Sequence, residues 1–350
     1  EIHWRDWSSD VCSSDLHLER FSQIPGFINL TNDRDFLREK IQRSLASMRE
    51  AIPNKYDGKY IFVAENLESK QILGTSMVAA QHGTEESPHF YFEVGSERKF
   101  SETISTGFIH GTLKLKYDTN GPSEIGGLVL DPEFRNSELR IGRQISFVRF
   151  LFVGLNRSKF KRKMLAELLP PLNKKGQSPL WEAIGRRFTN MDYGEADQLC
   201  QKSKEFIFSL FPSGKMYTTF FPAEARNAIG KVGKETEPVF HMLNKIGFQY
   251  KDQVDPFDGG PHLWANMDEI LPIKKIVSLR YTPDSDLPSA LHRESGLVCA
   301  HNQKPGEFRA VAIQGAIHEG KLQILDPPSE KVQRALNLSA GGTVSFMPYY

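Results

Sequence analysis

One stretch narrows the possible folds more than any other: GGLVLDPEFRNSELRIGRQISFVRFLF, residues 126–152. An apolar run of strand length, IGGLVL, is closed by the turn DPEF around Pro132, crosses a charged bend and enters a long apolar helix, IGRQISFVRFLFVGLNR. Ile145, Val148, Phe152 and Leu155 recur at helical spacing and are expected to form its buried face. The helix start presents unpaired backbone N–H groups and a partial positive charge, and Arg135, Arg140 and Arg143 cluster around Gly142 at the same place. The bend is therefore a candidate for a phosphate-bearing ligand. It contains neither G-x-x-x-x-G-K-[ST] nor G-x-G-x-x-G, which excludes a P-loop and a dinucleotide fingerprint.

The rest of the chain is orderly from Leu16 onward. DRDFLREKIQRSLASMRE carries Phe36, Leu37, Ile41 and Leu45 on one helical stripe. KYIFVAEN and QILGTSMVAAQ, separated by LESK, read as a strand pair, and FYFEVGSER with FIHGTLKLKY continues the antiparallel pattern. Past residue 270 a proline-punctuated segment leads to LVCAHN, FRAVAIQGAIHEG, KLQILDP and TVSFMPYY, the short strands of a small β-rich module. With 350 residues, 39% of them hydrophobic, the chain can bury a substantial core in one large or two smaller domains.

Composition excludes several functional classes. A net charge of +1 leaves no chain-wide electrostatic footprint for nucleic acid or an anionic membrane, so any bound anion must be met by a local site. Cys12, Cys200 and Cys299 lie far apart with no C-x-x-C spacing. That argues against a disulfide framework and a structural zinc; no metal site is expected, and a reducing cytoplasm fits best. No run approaches the roughly 18–20 apolar residues of a membrane helix, and no apolar signal core opens the chain. Residues 1–15 stand apart: EIHWRDWSSDVCSSD repeats SSD within a few residues and has neither helical nor strand periodicity. The string resembles translated sequencing-adapter read-through. It is expected to be a non-native or disordered segment, irregular or at most locally helical, that leaves a neighbouring sheet edge exposed.

The strand, P-x-x-R bend and helix resemble the acyl-CoA loop of the GNAT acyltransferases, which cradles the CoA pyrophosphate with backbone amides. GPSEIGGLVLDPEFR, GRQISFVRFLFV, GQSPLWEAIGRRFTNMDYGEAD, FIFSLFP, AIGKV, LNKIGFQYKDQVDPFDGGP and VCAHNQKPGEFRAVAI together resemble the arginine N-succinyltransferases, over nearly the whole chain after residue 16. In that family the chain opens with a strand and the start of a helix. LHLERFSQIPGFINLT is similar to the segment just after them, so the first strand is expected to be missing here. The resemblance implies an α+β fold: a GNAT-like mixed, largely antiparallel sheet flanked by helices at 16–155, a second α/β half at 156–275 contributing the acceptor site, and a C-terminal β module at 285–350. It further implies succinyl transfer from succinyl-CoA to the α-amine of arginine, in the cytoplasm. Succinyl-CoA would be a co-substrate, with no permanently bound cofactor, small molecules as partners, no nucleic acid or membrane, and a homo- or hetero-oligomeric assembly.

That reaction makes three demands on the residues. The thioester oxygen needs an N–H donor as charge develops on it, and Leu128 matches the position at which the family binds succinyl-CoA; its main chain is the expected donor. Gly126 and Gly127 would let the ligand approach, and Arg135, Arg140, Gly142 and Arg143 would hold the CoA phosphates. Proton handling comes second. The family's histidine, its proton donor, follows A-I-G-x-V in a V-H-P-type turn, whereas AIGKVGKETEP places Gly233 there. Glu235, His241 and Tyr217 lie nearby in sequence, but no motif licenses them; His241 falls on a helix whose Val239, Leu243 and Ile246 face inward, which makes it a solvated histidine. Acceptor recognition is the third demand: a guanidinium calls for paired carboxylates, and Asp192, Glu195, Asp255 and Asp258 are the candidates, with Arg186 and Arg187 for a succinyl carboxylate. AELLPPL stands where the family reads A-E-M-R-G, so Leu169 replaces an arginine and Pro170 and Pro171 stiffen the loop. The two departures keep alternatives open: an acyltransferase with a different amine acceptor, or a non-catalytic CoA-binding subunit.

Overall fold

The run KYIFVAEN is apolar on both of its alternating faces, which suits a strand covered on two sides. In the computed structural model, which describes residues 2–6, 34–66, 68–135, 137–138, 140–200, 203–283, 293–304 and 306–350, it forms β2 (Lys59–Asn66). Tyr60, Phe62 and Ala64 face one hydrophobic cluster and Ile61 and Val63 another. The second cluster is closed by Leu37, Ile41 and Leu45 of helix α1 (Arg34–Met48), the stripe expected from the sequence. The first is filled by helix α2 (Ile141–Leu155), whose Phe152 ring lies 4.9 Å from Tyr60 and 5.1 Å from Phe62. Each such buried aromatic is worth roughly 1.5–3 kcal/mol over its exposed state.

Among the described residues fifteen strands join in one sheet. From β2 it continues through β3 (Ile72–Ala79), β6 (Ser123–Leu130), β7 (Lys163–Glu167), β10 (Pro261–Asn266) and β9 (Gln249–Val254). It ends in a long hairpin, β4 (His89–Ser101) and β5 (Thr106–Asp118), edged by β8 (Lys215–Tyr217). On the other side of β2 lies β1 (Ile2–Asp6), then β13 (Arg309–His318). β13 closes with β12 (Arg293–Ala300), β15 (Thr343–Pro348), β11 (Val277–Tyr281) and β14 (Lys321–Asp326) into a five-strand barrel. The barrel has its own core, in which Val332 and Leu336 of α3 (Ser329–Leu336) pack against Phe346, Tyr281 and Leu322. β6–β7 and β11–β14 are parallel pairs within an otherwise antiparallel sheet.

Three sequence expectations are corrected. Residues 2–6 are a strand, paired antiparallel with β2 from Ile2↔Asn66 to Asp6↔Phe62 and with β13 from His3↔Val311 to Arg5↔Arg309, so no strand is missing at that place and no edge is left open there. Ladder hydrogen bonds on two sides need no alternating apolar face, which is why periodicity overlooked it; the rest of the 1–15 segment lies outside the described residues. Leu155 is 38% exposed: burial along α2 follows its seat among β2, β3, β6 and β12, where Ile145 to Val153 are buried all round, and not a single stripe. Finally, the β4–β5 hairpin leaves the first half of the chain and pairs with β9 and β8, so Phe90, Phe92 and Leu113 share a core with Trp181, Phe206, Val254 and Phe257.

β2 also extends beyond β1, and there helix α1 supplies the missing acceptors. The N–H of Ile61 donates to Ser44 Oγ at 2.9 Å and that of Lys59 to Ser47 Oγ at 3.0 Å. Ser44→Ala strands a buried donor and is expected to cost about 1–3 kcal/mol, read as a shift in the denaturant midpoint. An unchanged midpoint would show that Ile61 has another partner.

Candidate active site

β6 is where the ladder breaks. On its β3 side, Thr75 pairs with Val129 and Met77 with Gly126, so Gly127 and Leu128 together oppose the single residue Ser76. Such a bulge needs its first residue in the left-handed region; Gly127 has φ +56°, and Thr75 Oγ1 donates to its carbonyl at 3.3 Å. On its other side, β6 pairs with β7 at Ser123↔Met164 and Glu124↔Leu165. Beyond these the parallel register ends, and the bulge stands beside the parting of the two strands. Arg149, buried in α2 with its guanidinium lowered to about 9 by burial, braces the bulge: Nη1 donates to the Gly126 carbonyl at 3.2 Å and Nη2 to Ser146 Oγ at 2.7 Å.

The bend after β6 is built from Asp131, whose carboxylate caps the Pro132–Phe134 turn by accepting from the Glu133 N–H at 3.1 Å. Arg140 sits left-handed, φ 49°, immediately before α2, whose start has no side-chain cap. Arg135 and Arg140 are exposed, and Gly142 is half-buried with room for a β-carbon 3.8 Å from Leu130. Arg143 turns elsewhere, stacking 4.4 Å over the Tyr349 ring.

A buried polar chamber adjoins the bulge. Glu124 shares a face of β6 with Gly126, its Oε1 3.5 Å from where a Gly126 β-carbon would stand, and its Oε2 accepts from His82 Nδ1 at 2.8 Å. Glu167 ends β7 opposite His262 of β10, and its Oε1 lies 3.7 Å from His82 Nε2, 3.4 Å from His89 Nε2 and 3.5 Å from His262 Nε2. Asp255 and Asp258 close the chamber from the DPFDGG loop, where Asp255 accepts from the Phe257 and Asp258 N–H groups and Asp258 from Gly260 N–H and Tyr193 O–H. Donor atoms of His82, His89 and Glu167 lie within 4.8 Å of one another, as do those of Glu167, Asp255 and His262.

Burial governs the charges here. It lowers His89 to about 4, with the charge of Lys204 adding to it, and drives His262 well below its ordinary value, so both are neutral near neutral pH. Burial, and then Glu167, pushes the Asp255 carboxyl up to about 7; burial, and then Asp255, raises Asp258 well above its ordinary value. Glu167 is raised by burial as well. Burial would also raise Glu124, but the charge and hydrogen bond of His82, with Lys59 nearby, outweigh it and hold this carboxyl below its ordinary range.

Of the acceptor candidates, the structure brings Asp255 and Asp258 to the chamber. Asp192 and Glu195 are instead surface residues at the start of the helix Tyr193–Cys200: Glu195 accepts from the Asp192 N–H at 3.0 Å, and Asp192 pairs with Arg186. Tyr217 lies on β8, donating to Glu97 at 2.9 Å; Glu235 is exposed; and His241 is exposed, 3.7 Å from Glu237. Sequence reasoning missed His82, His89, Glu124, Glu167, His262, Tyr193 and Arg149, which come from separate elements with no local spacing. The histidines beside the proline and glycine turns SPHF and GGPH were the available signal.

The two departures from the family pattern touch. Gly233 N–H donates to the Leu169 carbonyl at 2.9 Å, and a β-carbon on Gly233 would stand 2.9 Å from the Pro170 carbonyl oxygen. The stiffened loop thus occupies the space that a side chain at 233 would need.

Comparisons with known proteins agree with this architecture. The family model described as arginine N-succinyltransferase beta subunit matches residues 11–272. An arginine N-succinyltransferase of Yersinia enterocolitica is 32% identical over 326 residues, covering 93% of this chain and 91% of that protein. One of Citrobacter koseri is 32% identical over 290 residues, covering 83% and 82%. The solved arginine/ornithine succinyltransferase subunit AI of Pseudomonas aeruginosa shares the fold with a TM-score of 0.81, at 24% identity over 99% of this chain and 98% of that one. The class is that of the N-acyltransferases. Within it, the chain belongs to the arginine N-succinyltransferase family.

Gly233→His is expected to destabilise the protein by about 1–3 kcal/mol through the contact with Pro170, and not to restore a proton carrier. Parallel urea unfolding and turnover measurements check this; a variant as stable as the parent and more active would refute it.

Proposed function

We propose that the chain transfers a succinyl group from succinyl-CoA to the α-amine of arginine. The observation that carries the reading, together with family membership, is the bulge at Gly127–Leu128 beside the parting of β6 and β7, adjoining both a helix start and a carboxylate-lined chamber. In this reading the thioester lies along the bulge, and the Leu128 main-chain N–H stabilises the oxygen that becomes negative as the amine attacks. The phosphates of CoA meet the start of α2 with Arg135, Arg140 and Gly142. Arg143, stacked on Tyr349, shapes that surface from one side.

The cationic acceptor enters from the chamber, where Asp255 and Asp258 offer carboxyl groups. Glu124, the carboxylate beside Gly126 and oriented by His82, accepts the proton that the α-amine loses on attack. The departing thiolate is released toward solvent. Two observations favour a second reading, in which the acceptor is a different amine: three histidines line the chamber, and Leu169–Pro170 lies across Gly233.

The direct test is CoA release from succinyl-CoA on adding arginine, followed by a panel of amino acids and polyamines. Turnover with arginine supports the first reading, and turnover with another amine the second. CoA binding without release by any amine would mark a non-catalytic subunit. Arg140→Glu and Gly142→Asp are each expected to weaken CoA binding by about 1–3 kcal/mol through charge alone, since position 142 has room for a side chain. Glu124→Gln is expected to lower kcat by about 100- to 10,000-fold with CoA affinity unchanged. Unaltered CoA affinity in both bend variants would remove the donor site from this place.

A further inference from the structure

The acyl-transfer reading uses Glu124 and the orienting Nδ1 of His82, and leaves the histidine nitrogens around Glu167 without a task. His89 is 1% exposed and His262 fully buried, and among the described residues neither ring nitrogen of either makes a hydrogen bond. Buried polar groups of that kind are uncommon and call for an occupant. Both Nε2 atoms lie close to the same oxygen, Glu167 Oε1, at 3.4 Å and 3.5 Å, and His82 Nε2 lies 3.7 Å from it. These separations are long for hydrogen bonds. They suit donors sharing an ion, since tetrahedral zinc with bonds of about 2.0–2.1 Å spaces its donors about 3.3–3.4 Å apart.

The fourth observation is the support of His82. Its Nδ1–H donates to Glu124 at 2.8 Å, which orients the ring and leaves Nε2, on the side of Glu167, as the nitrogen an ion would take in exchange for a proton. A carboxylate behind an imidazole in this way is the usual second layer of a metal site.

We propose that His82 Nε2, His89 Nε2 and Glu167 Oε1 bind a divalent transition-metal ion of the zinc class, with Glu124 holding His82 in place. Imidazole nitrogens with one carboxylate select Zn2+, Co2+ or Ni2+ over Mg2+ and Ca2+, which prefer oxygen donors. The ion would join the loop after β3, the head of β4 and the end of β7. It would thereby tie the β4–β5 hairpin to the parting of β6 and β7. It would also place positive charge among Glu124, Glu167, Asp255 and Asp258. The site departs from the sequence expectation of no metal, because its donors come from three separate places in the fold rather than one spaced motif. It does not depend on which amine is the acceptor.

The test uses the full chain, stripped with chelator, dialysed and titrated with Co2+ and then Zn2+. Stoichiometric Co2+ uptake with the visible absorption of a tetrahedral nitrogen–oxygen site, displacement by Zn2+ and a rise in Tm on Zn2+ addition are expected. His82→Ala and His89→Ala should each abolish stoichiometric uptake, and Glu124→Gln should weaken Zn2+ affinity about 10- to 100-fold. His241→Ala, outside the chamber, should leave uptake unchanged. If His89→Ala fails to fold, His82→Ala, whose side chain is 20% exposed, carries the test. A folded parent chain that takes up neither ion stoichiometrically overturns the site and leaves the chamber to an organic cation. Uptake that survives both histidine substitutions overturns it equally.

Discussion

β6 and β7 are neighbours for two residue pairs and then separate, and much of the molecule follows from that break. A parallel pair that ran on would seal its backbone groups and leave no opening. The break is stable because each strand is held from its other side: β6 by β3 and the α2 aromatics, β7 by β10. The bulge at Gly127 and the Arg149 contact to Gly126 keep β6 in its kinked course, and the opening that results is lined by groups a continuous sheet would have buried or excluded.

Those groups exist in a balance set by desolvation. Four carboxyl groups and three imidazoles crowd together with no arginine among them, and burial keeps two of the imidazoles neutral while raising three of the carboxyls. Only Glu124 is driven the other way, by the one imidazole close enough to bond it. The chamber therefore holds less negative charge than its composition suggests, and it gains from a cation of any chemistry that reaches its donors.

How much of this was legible depended on whether the signal was local. β2, the β4–β5 hairpin, α1 and the strand–bend–helix unit around Pro132 are each written in a contiguous period, and each was readable. Arg135 and Arg140 stand in the bend at the helix start where the sequence put them, and Arg143 stacks on the ring of Tyr349; their part in holding CoA, and that of Leu128, belongs to the proposal. Asp255 and Asp258 looked no different in sequence from Asp192 and Glu195; only the fold separates them, burying the first pair beside Glu167 and spending the second on capping a helix. His82, His89, Glu167 and His262 were invisible one by one, since only the pairing of β7 with β10 and the crossing of β4 to β9 bring them together. β1 escaped for a different reason: five residues held by backbone bonds on both sides need no periodic side chains.

That strand has a consequence in time. Residues 2–6 pair on one side with residues 62–66 and on the other with residues 309–311. At synthesis rates of about 5–20 residues per second, the ribosome takes roughly ten to fifty seconds to travel from the first partner to the second. Throughout that interval β2 can receive β1, but the opposite edge of β1 has nothing to bind. β1 can join the barrel to the main sheet only once residues 309–311 have been made, so a strand made about 240 residues after β2 decides when the second edge of β1 is protected.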